Sequence, residues 1–459
     1  MNPVLPQLDR TSDIPLYTQL YRFLKEEITC GNLKSGEKLP SLRRLSKDLA
    51  ISITTSEWAY NQLLVEGYVI SRPQSGYYVA TVQGAPCASD DESLTYNFSD
   101  YTFKGSPYKY DLSCFDFFKW KKCASRVLTE YSHLLLFESD TQGEAALRFE
   151  ISRYIFSSRG VKCTPDQIVV GAGTQQLTFH LCRILKKMNI AHVSTEDPGY
   201  LPVQNIFRDH NFSITKIPVA GDGISIEKLP SNIPSAVYVN PSNQFPTGSV
   251  MPVGRRYELL KWAKKNNSYV LEDDYDSELR YFGKPVPALQ GLEKDSNVIY
   301  LGSFSSTLFP AIKISYMVLP EDMVEIFNEI KSDYTQTCSK MEQLTLALYM
   351  EEGHYYTNIR KLRNLYSQKL QVALSALSEY GRDFVFPQNT NSGINLILKL
   401  KTDKKPEELC RLAKEIGLNT VPVENIYGET NTVLNFYYNQ LPLDDIESSI
   451  KEMLELWRR

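Results

Sequence analysis

Between positions 14 and 30 the apolar residues Leu16, Leu20, Phe23, Leu24 and Ile28 fall on one helical face, and Gly31 follows as a stop. This spacing predicts an amphipathic helix. After the polar stretch KSGEKLP, Ser41 is placed to cap a second short helix carrying Leu42, Leu45 and Leu49, and Ser52 to cap a third that runs to about Glu66. YVISR, a PQSG turn and YYVA then read as the two strands of a hairpin. Three helices and a hairpin within residues 1–80 predict a winged helix-turn-helix. From Thr81 to about Ser106 the periodicity stops and the chain turns polar around GAPCASDDES, which reads as a linker. Beyond it, short apolar runs alternate with helical stretches: QIVVG then 174–188, IAHVS then 200–210, AVYVN then 253–266, followed by SYVLE, NVIYL and SYMVL. That rhythm predicts an α/β domain over 107–459, built on a mainly parallel sheet with crossover helices. Its last part, about 337–459, mixes helices with the runs INLILKL and TVLNFYY and predicts a smaller α+β lobe.

Composition narrows the class. The chain has 459 residues, enough for two to four folding units, and its 42% apolar and 23% charged content excludes a disordered chain or a coiled coil. Lys plus Arg number 50 against 54 Asp plus Glu, a net of 50 − 54 = −4, so no global field attracts nucleic acid or an anionic membrane. DNA binding must therefore rest on a local patch. No apolar run approaches the ~18 residues of a membrane span. The opening MNPVLPQLDRTSD lacks the basic and apolar regions of an export signal. Eight scattered Cys without a CxxC pair suit reduced thiols, and none of the five His stands at metal-ligand spacing from another. The expectation is a cytoplasmic protein with no membrane partner and no metal.

PLYTQLYRFLKEEITCGNLKSGEKLPSLRRLSKDLA, followed by TTSEWAYNQLLVEGYVISRPQSGYYV, closely resembles the winged-helix domain of GntR-type transcription regulators over residues 14–80. The resemblance implies double-stranded DNA as partner, the capped third helix entering the major groove by its N-terminal end and the wing reaching backbone or minor groove. At the matching positions Arg43, Ser52, Thr54 and Thr55 are implied DNA contacts. Arg72, Gln74, Ser75 and Gly76 on the wing read either as phosphate contacts or as a solvated turn. Residues 1–80 hold nine Lys/Arg against eight Asp/Glu, a net of 9 − 8 = +1, so the basic footprint is weak. Ile53 stands where the family usually has Arg, and Glu57 lies on the next turn. Ile cannot make the bidentate contact of Arg to guanine, so the sequence read is different or the affinity lower.

The remainder resembles a fold-type I aminotransferase, and the joined architecture is similar to the MocR/GabR subfamily of regulators. The motifs that carry this are DTQGEAALRFEISRYIFSSRGV, GAGTQQ, EDPGY, NPSNQFPTG, LEDDYDSELRY and GSFSSTLFPAIKISY, in the family's order. The resemblance implies a pyridoxal 5'-phosphate pocket and a homodimer. Gly173 and Thr174 match the phosphate cradle at a helix N-terminus, with Ser303 and Ser305 joining from a later loop. Tyr200 matches the aromatic stacked on the pyridine ring, Asp273 the carboxylate at its nitrogen and Tyr275 the phenol at its hydroxyl. Asn243 stands where the subfamily often has His, and its amide can reach the same hydroxyl.

Two departures change the chemistry. Ser306 occupies the position of the Lys that forms the Schiff base with the cofactor, and a hydroxyl can neither form that bond nor shuttle a proton as the amine does. Nearby, Lys313 replaces an expected Arg, offering phosphate a point charge in place of a planar fork, and Ser315 replaces a Gly. The second departure concerns the substrate carboxylate. Between Lys414 and Lys451 there is no Arg, Lys or His to clamp it, unless Arg280 or Arg208 arrives from elsewhere. Tyr427, Tyr437 and Tyr438 in that stretch read as core packing with a hydroxyl at the rim. The reading that follows is a DNA-binding regulator whose aminotransferase-like domain senses a small-molecule effector, the cofactor or its amine adduct held non-covalently, without transaminating. An aminotransferase using Lys313, and a DNA-binding dimer with a relic pocket from which the cofactor is absent, are the alternatives.

Overall fold

The computed structural model describes residues 6–81, 106–281, 286–293, 297–388, 390–391, 393–423 and 432–459. The chain divides into two units, Met1–Lys104 and Gly105–Arg459. Apart from its two end residues, the expected linker 81–106 lies outside the described residues.

In the first unit α1 (Leu16–Thr29), α2 (Leu42–Leu49) and α3 (Ile53–Val65) precede an antiparallel hairpin of β1 (Val69–Arg72) and β2 (Gly76–Val79). The helices begin where the sequence supplies caps: Ser41 Oγ accepts from the Arg44 amide at 3.3 Å and Ser52 Oγ from the Thr55 amide at 3.0 Å. The chain leaves α1 through Gly31 at φ 77°. Leu20, Leu24, Leu45, Tyr60, Leu63 and Val79 close one core, in which truncating the fully buried Leu63 to Ala costs roughly 2–5 kcal/mol.

The second unit opens with α4 (Phe117–Glu130) and α5 (Ala145–Arg159) and then alternates: β3 (Ile168–Gly171), α6 (Thr174–Lys187), β4 (His192–Asp197), α7 (Leu201–Asp209) and β5 (Ser213–Ala220). It continues with β6 (Gly223–Ile224), β7 (Ala236–Val239), α8 (Val253–Lys265), β8 (Tyr269–Asp274), α9 (Leu289–Leu292), β9 (Val298–Ser303), β10 (Ser315–Val318) and α10 (Glu321–Ile330). These strands form one sheet in the order β3-β10-β9-β8-β7-β4-β5-β6. Strands β5, β4, β7, β8 and β9 pair in parallel, whereas β10 runs antiparallel to both β9 and β3. Every residue of β3, β7 and β8 is buried, which is why these strands read as unbroken apolar runs that end in polar residues only at the β8 carboxyl end. The carboxyl ends of β3, β4, β7, β8 and β9 share one edge of the sheet, the place where an open α/β fold leaves its crevice.

The remaining elements are α11 (Lys340–Glu351), α12 (His354–Tyr380), β11 (Val385–Gln388), β12 (Leu396–Leu400), α13 (Pro406–Glu415), β13 (Thr420–Pro422), β14 (Thr432–Phe436) and α14 (Ile446–Arg458). The four strands make a separate antiparallel sheet, β11-β12-β14-β13. The expected start of this lobe near 337 is too early. Leu346 and Tyr349 of α11 are buried in the same core as Val127 of α4 and Ile151 of α5, while the lobe's own core begins with Leu370 on α12. The segment before α4 is fastened to this lobe: the Lys109 amide donates to the Gly417 carbonyl at 2.8 Å, and Asp111 pairs with the fully buried Lys369 at 2.7 Å. Removing one partner of such a buried pair costs about 3–5 kcal/mol, because the other charge is left unmatched. Among the described residues no helix is long and apolar enough to cross a membrane.

Candidate functional site

At the carboxyl edge of the large sheet lies a cavity of about 450 Å³. Gly173, Thr174, Tyr200, Asp273, Tyr275, Ser303, Ser305 and Lys313 line it, eight of the ten cofactor-site residues expected from the sequence. Each arrives at the end of a strand. Gly173 caps α6 at φ 88°, a conformation L side chains rarely adopt, and the first turn of that helix has backbone donors without helical acceptors. Ser303 ends β9, its Oγ accepting from the Ser305 amide at 3.3 Å and from Ser315 Oγ at 3.1 Å. Lys313, in the left-handed region at φ 49°, is the only Lys or Arg among the described residues of the wall.

Asp273 and its neighbour Asp274 each leave Oδ1 buried without a hydrogen-bond partner, but only Asp273 lines the cavity. Asp274 forms a buried ion pair with Arg159 at 2.7 Å and accepts from the Tyr300 hydroxyl at 2.6 Å. Asp273 accepts from the Tyr238 hydroxyl through Oδ2, while its Oδ1 is buried without a partner. Burial pushes the Asp273 carboxyl up from 3.8 to about 6. Behind it, Glu196 accepts from the Asn240 amide at 3.2 Å and from Gln244 at 3.1 Å, and burial pushes it up from 4.5 to about 8. The unpartnered Asp273 oxygen suits the protonated nitrogen of a pyridine ring, since an orphaned buried carboxylate oxygen costs free energy until a donor meets it. A phosphate fits the other end, where helix donors, two serines and one cation converge. The residues present therefore fit pyridoxal 5'-phosphate.

Two expected site residues do not line the cavity. The Asn243 amide donates to Asp276 at 2.6 Å and to the Tyr275 hydroxyl at 3.4 Å, so it orients that phenol. Ser306 is half-buried in the turn after β9 and stands outside the wall. Ala172, Gln175, Asn240, Phe245, Ser315, Ile394, Asn395 and Tyr437 complete the wall, and the sequence assigned none of them to it. Asn240 was in principle visible, as the first residue of NPSNQFPTG and the end of β7; its Nδ2 donates to the Asp273 carbonyl at 2.9 Å and its Oδ1 is buried without a partner. Tyr437, expected to pack in the core with its hydroxyl at the rim, is half-buried and lines the cavity, whereas the adjacent Tyr438 is fully buried and donates to the Gly393 carbonyl at 2.7 Å. Tyr427 lies outside the described residues. Arg208 bonds Asn205 on its own helix, and Arg280 lines a different cavity, of about 570 Å³, with Arg360 and Arg363.

On the winged helix Arg43 and Thr54 are exposed and have no side-chain partner among the described residues, while Ser52 and Thr55 share a cap bond at 2.7 Å. Ile53 is 48% exposed and Glu57 is also exposed, so neither is spent on the core. On the wing the Arg72 guanidinium stacks on Tyr78 at 4.5 Å, and Ser75 bonds the same tyrosine's hydroxyl at 2.6 Å. Gln74 and Gly76 form the tip at φ 62° and 109°. Lys38, not assigned from sequence, flanks the Tyr78 ring at 5.8 Å and adds a cation there.

Comparison with known proteins agrees with both halves. The family Aminotransferase class I and II matches residues 111–430, and the gntR family of bacterial regulatory proteins matches residues 16–79. The HTH-type transcriptional regulator YdeL of Bacillus subtilis is 39% identical, covering 99% of both chains. The probable rhizopine catabolism regulatory protein MocR of Rhizobium meliloti is 33% identical over 91% of this chain and 88% of its own. Among solved structures, kynurenine aminotransferase of Pyrococcus horikoshii superposes with a TM-score of 0.66 at 22% identity, covering 80% of this chain and 98% of that one.

Proposed function

The chain belongs to the MocR-type helix-turn-helix regulators, which join a gntR-family DNA-binding domain to an aminotransferase class I and II domain, and on that premise we propose that it senses a ligand without catalysing transamination. It acts in the cytoplasm as a homodimer on duplex DNA. The domains run 1–80 and 107–459, joined by the linker 81–106. Its aminotransferase-like domain holds pyridoxal 5'-phosphate, or an amine adduct of it, non-covalently.

One observation carries the reading: the wall offers partners for a ring and a phosphate, while Ser306, which the motif resemblance aligns with the family's lysine, stands outside the wall. When bound, the cofactor supplies an electron sink for charge developing on an attached amine's carbon. Asp273 would hold a proton at the ring nitrogen, Tyr275, positioned by Asn243, would meet the ring hydroxyl, and Tyr200 would cover the ring. Lys313, Ser303, Ser305 and the α6 amides hold the phosphate. Ser306 has no amine with which to tether the cofactor or move a proton. Binding contributes to regulation only if the ligand prefers one arrangement of the dimer's DNA-binding units.

A second reading, catalysis with Lys313 as the amine, draws support from that residue's place in the wall. It takes the only described cation away from the phosphate. Incubation with pyridoxal 5'-phosphate, borohydride reduction and mass spectrometry separate the two. Bound cofactor with no covalent label is expected; a pyridoxyl group on Lys313 refutes the sensor reading.

A further inference from the structure

We propose that the cavity selects phosphopyridoxyl adducts of amines that lack an α-carboxylate, and disfavours the adducts of amino acids. The inference rests on the cofactor reading above and names its ligand class. Among the described residues of the wall, Lys313 is the sole cation, and it stands with Ser303 and Ser305 at the phosphate end. A phosphate dianion uses that charge. The ring end presents Asp273, with Glu196 buried behind it and Asp276 behind Asn243, carboxyls that burial pushes toward their neutral forms and that offer an added carboxylate no cation.

Elsewhere the described wall offers Phe245, packed edge-on to Tyr200 and Tyr275, and Ile394, Asn395 and Tyr437, none of them charged. Asn395 and Tyr437 flank the paired ends of β12 and β14, where Leu396 faces Phe436. Asn395 spends its amide on Asn435 Oδ1 at 2.6 Å, and Asn435 in turn donates to the Tyr437 hydroxyl at 3.4 Å. Asn395 is left with one amide N–H and its carbonyl oxygen, a neutral pair that cannot balance the charge of a carboxylate. Neither arginine considered as a clamp lines this cavity, and residues 424–431 contain no Lys, Arg or His in sequence. A carboxylate placed here loses water without gaining a cation or a fork of donors, a net cost for any charged group. An adduct of the parent amine avoids that cost and keeps every contact to ring and phosphate.

The test is calorimetric titration of the full chain with two stable reduced adducts that differ only in the carboxylate: N-(5'-phosphopyridoxyl)-L-leucine and N-(5'-phosphopyridoxyl)-3-methylbutylamine. Pyridoxal 5'-phosphate alone is the third titrant. The amine adduct is expected to bind at least about tenfold tighter than the leucine adduct. Equal or tighter binding of the leucine adduct overturns the inference. So does binding of the cofactor alone with neither adduct accepted, which leaves the cofactor reading standing. Failure of all three titrants removes the cofactor reading and the inference together.

Discussion

On the winged helix Arg43, Lys47 and Thr54 stand exposed with no side-chain partner among the described residues, whereas around the cavity Arg159, Asp274 and Tyr300 close a buried network and Asp273 keeps one oxygen in reserve. The two regions meet charge by different physics. Solvated cations cost nothing to hold, and they gain from a polyanion mainly by releasing its counterions, so that binding falls steeply with salt. Buried groups have already lost their water, and their contacts with a ligand are screened far less. DNA affinity and cofactor affinity should therefore separate when only ionic strength is varied: the first drops and the second stays nearly level.

The sharpest break in that contrast comes from restoring the amine. Wild-type protein is expected to show no turnover with a panel of amino and keto acids above free pyridoxal 5'-phosphate. Ser306→Lys should change borohydride labelling from none to about one pyridoxyl group per chain, read by mass spectrometry. Absence of label in a variant that still binds the cofactor would mean that position 306 does not reach it.

Next in size is the reserved oxygen. Asp273→Ala should weaken cofactor binding by ~1.5–3 kcal/mol, the worth of a hydrogen bond to a charged group, measured by calorimetry. Unchanged affinity would place the ring nitrogen elsewhere. On the exposed side, Ile53→Arg should change or tighten DNA recognition by ~1–3 kcal/mol where the side chain faces a base, as read by selection from a random duplex library. Arg43→Ala should act more evenly, weakening all sequences and lowering the salt slope by about one.

The smallest effect concerns protons held without ligand. Burial pushes Glu196 up to about 8 and Glu272 and Glu278 up to about 7, against an ordinary 4.5. The folded chain keeps these protons at pH values where the unfolded chain has released them. Stability from this source is full below about 4.5 and is lost as pH rises toward 8. Ligand-free protein should melt at a higher temperature at pH 6 than at pH 8.5, and Glu196→Gln should narrow the gap. A wider gap in that variant would contradict the assignment.

The helix caps and the strand-end residues of the cavity wall were legible in the sequence, because Ser41, Ser52, Gly173, Tyr200 and Asp273 act through local geometry at the ends of elements. The far wall was not. Tyr437 and Tyr438 are adjacent, and at a strand end successive side chains turn to opposite sides, so only the lobe's register decides which enters the core. The reversed direction of β10 was equally hidden, since a four-residue apolar run carries no polarity. The bond between Asn243 and Asp276 was hidden for a related reason. Asn243 holds the motif position of a ligand-contacting residue, yet Asp276, three residues beyond Asp273, competes for its amide.

The bonds that fasten Lys109 and Asp111 to Gly417 and Lys369 have a mechanical consequence. The chain coming from the DNA-binding unit is moored first on the small lobe, before it reaches the large sheet. A lobe that swings as its own wall residues, Asn395 and Tyr437, close on a ligand carries that mooring point with it. Among the described residues that mooring is one backbone bond and one buried ion pair, and replacing both partners, Lys369→Met with Asp111→Asn, should slacken it without leaving a buried charge unmatched.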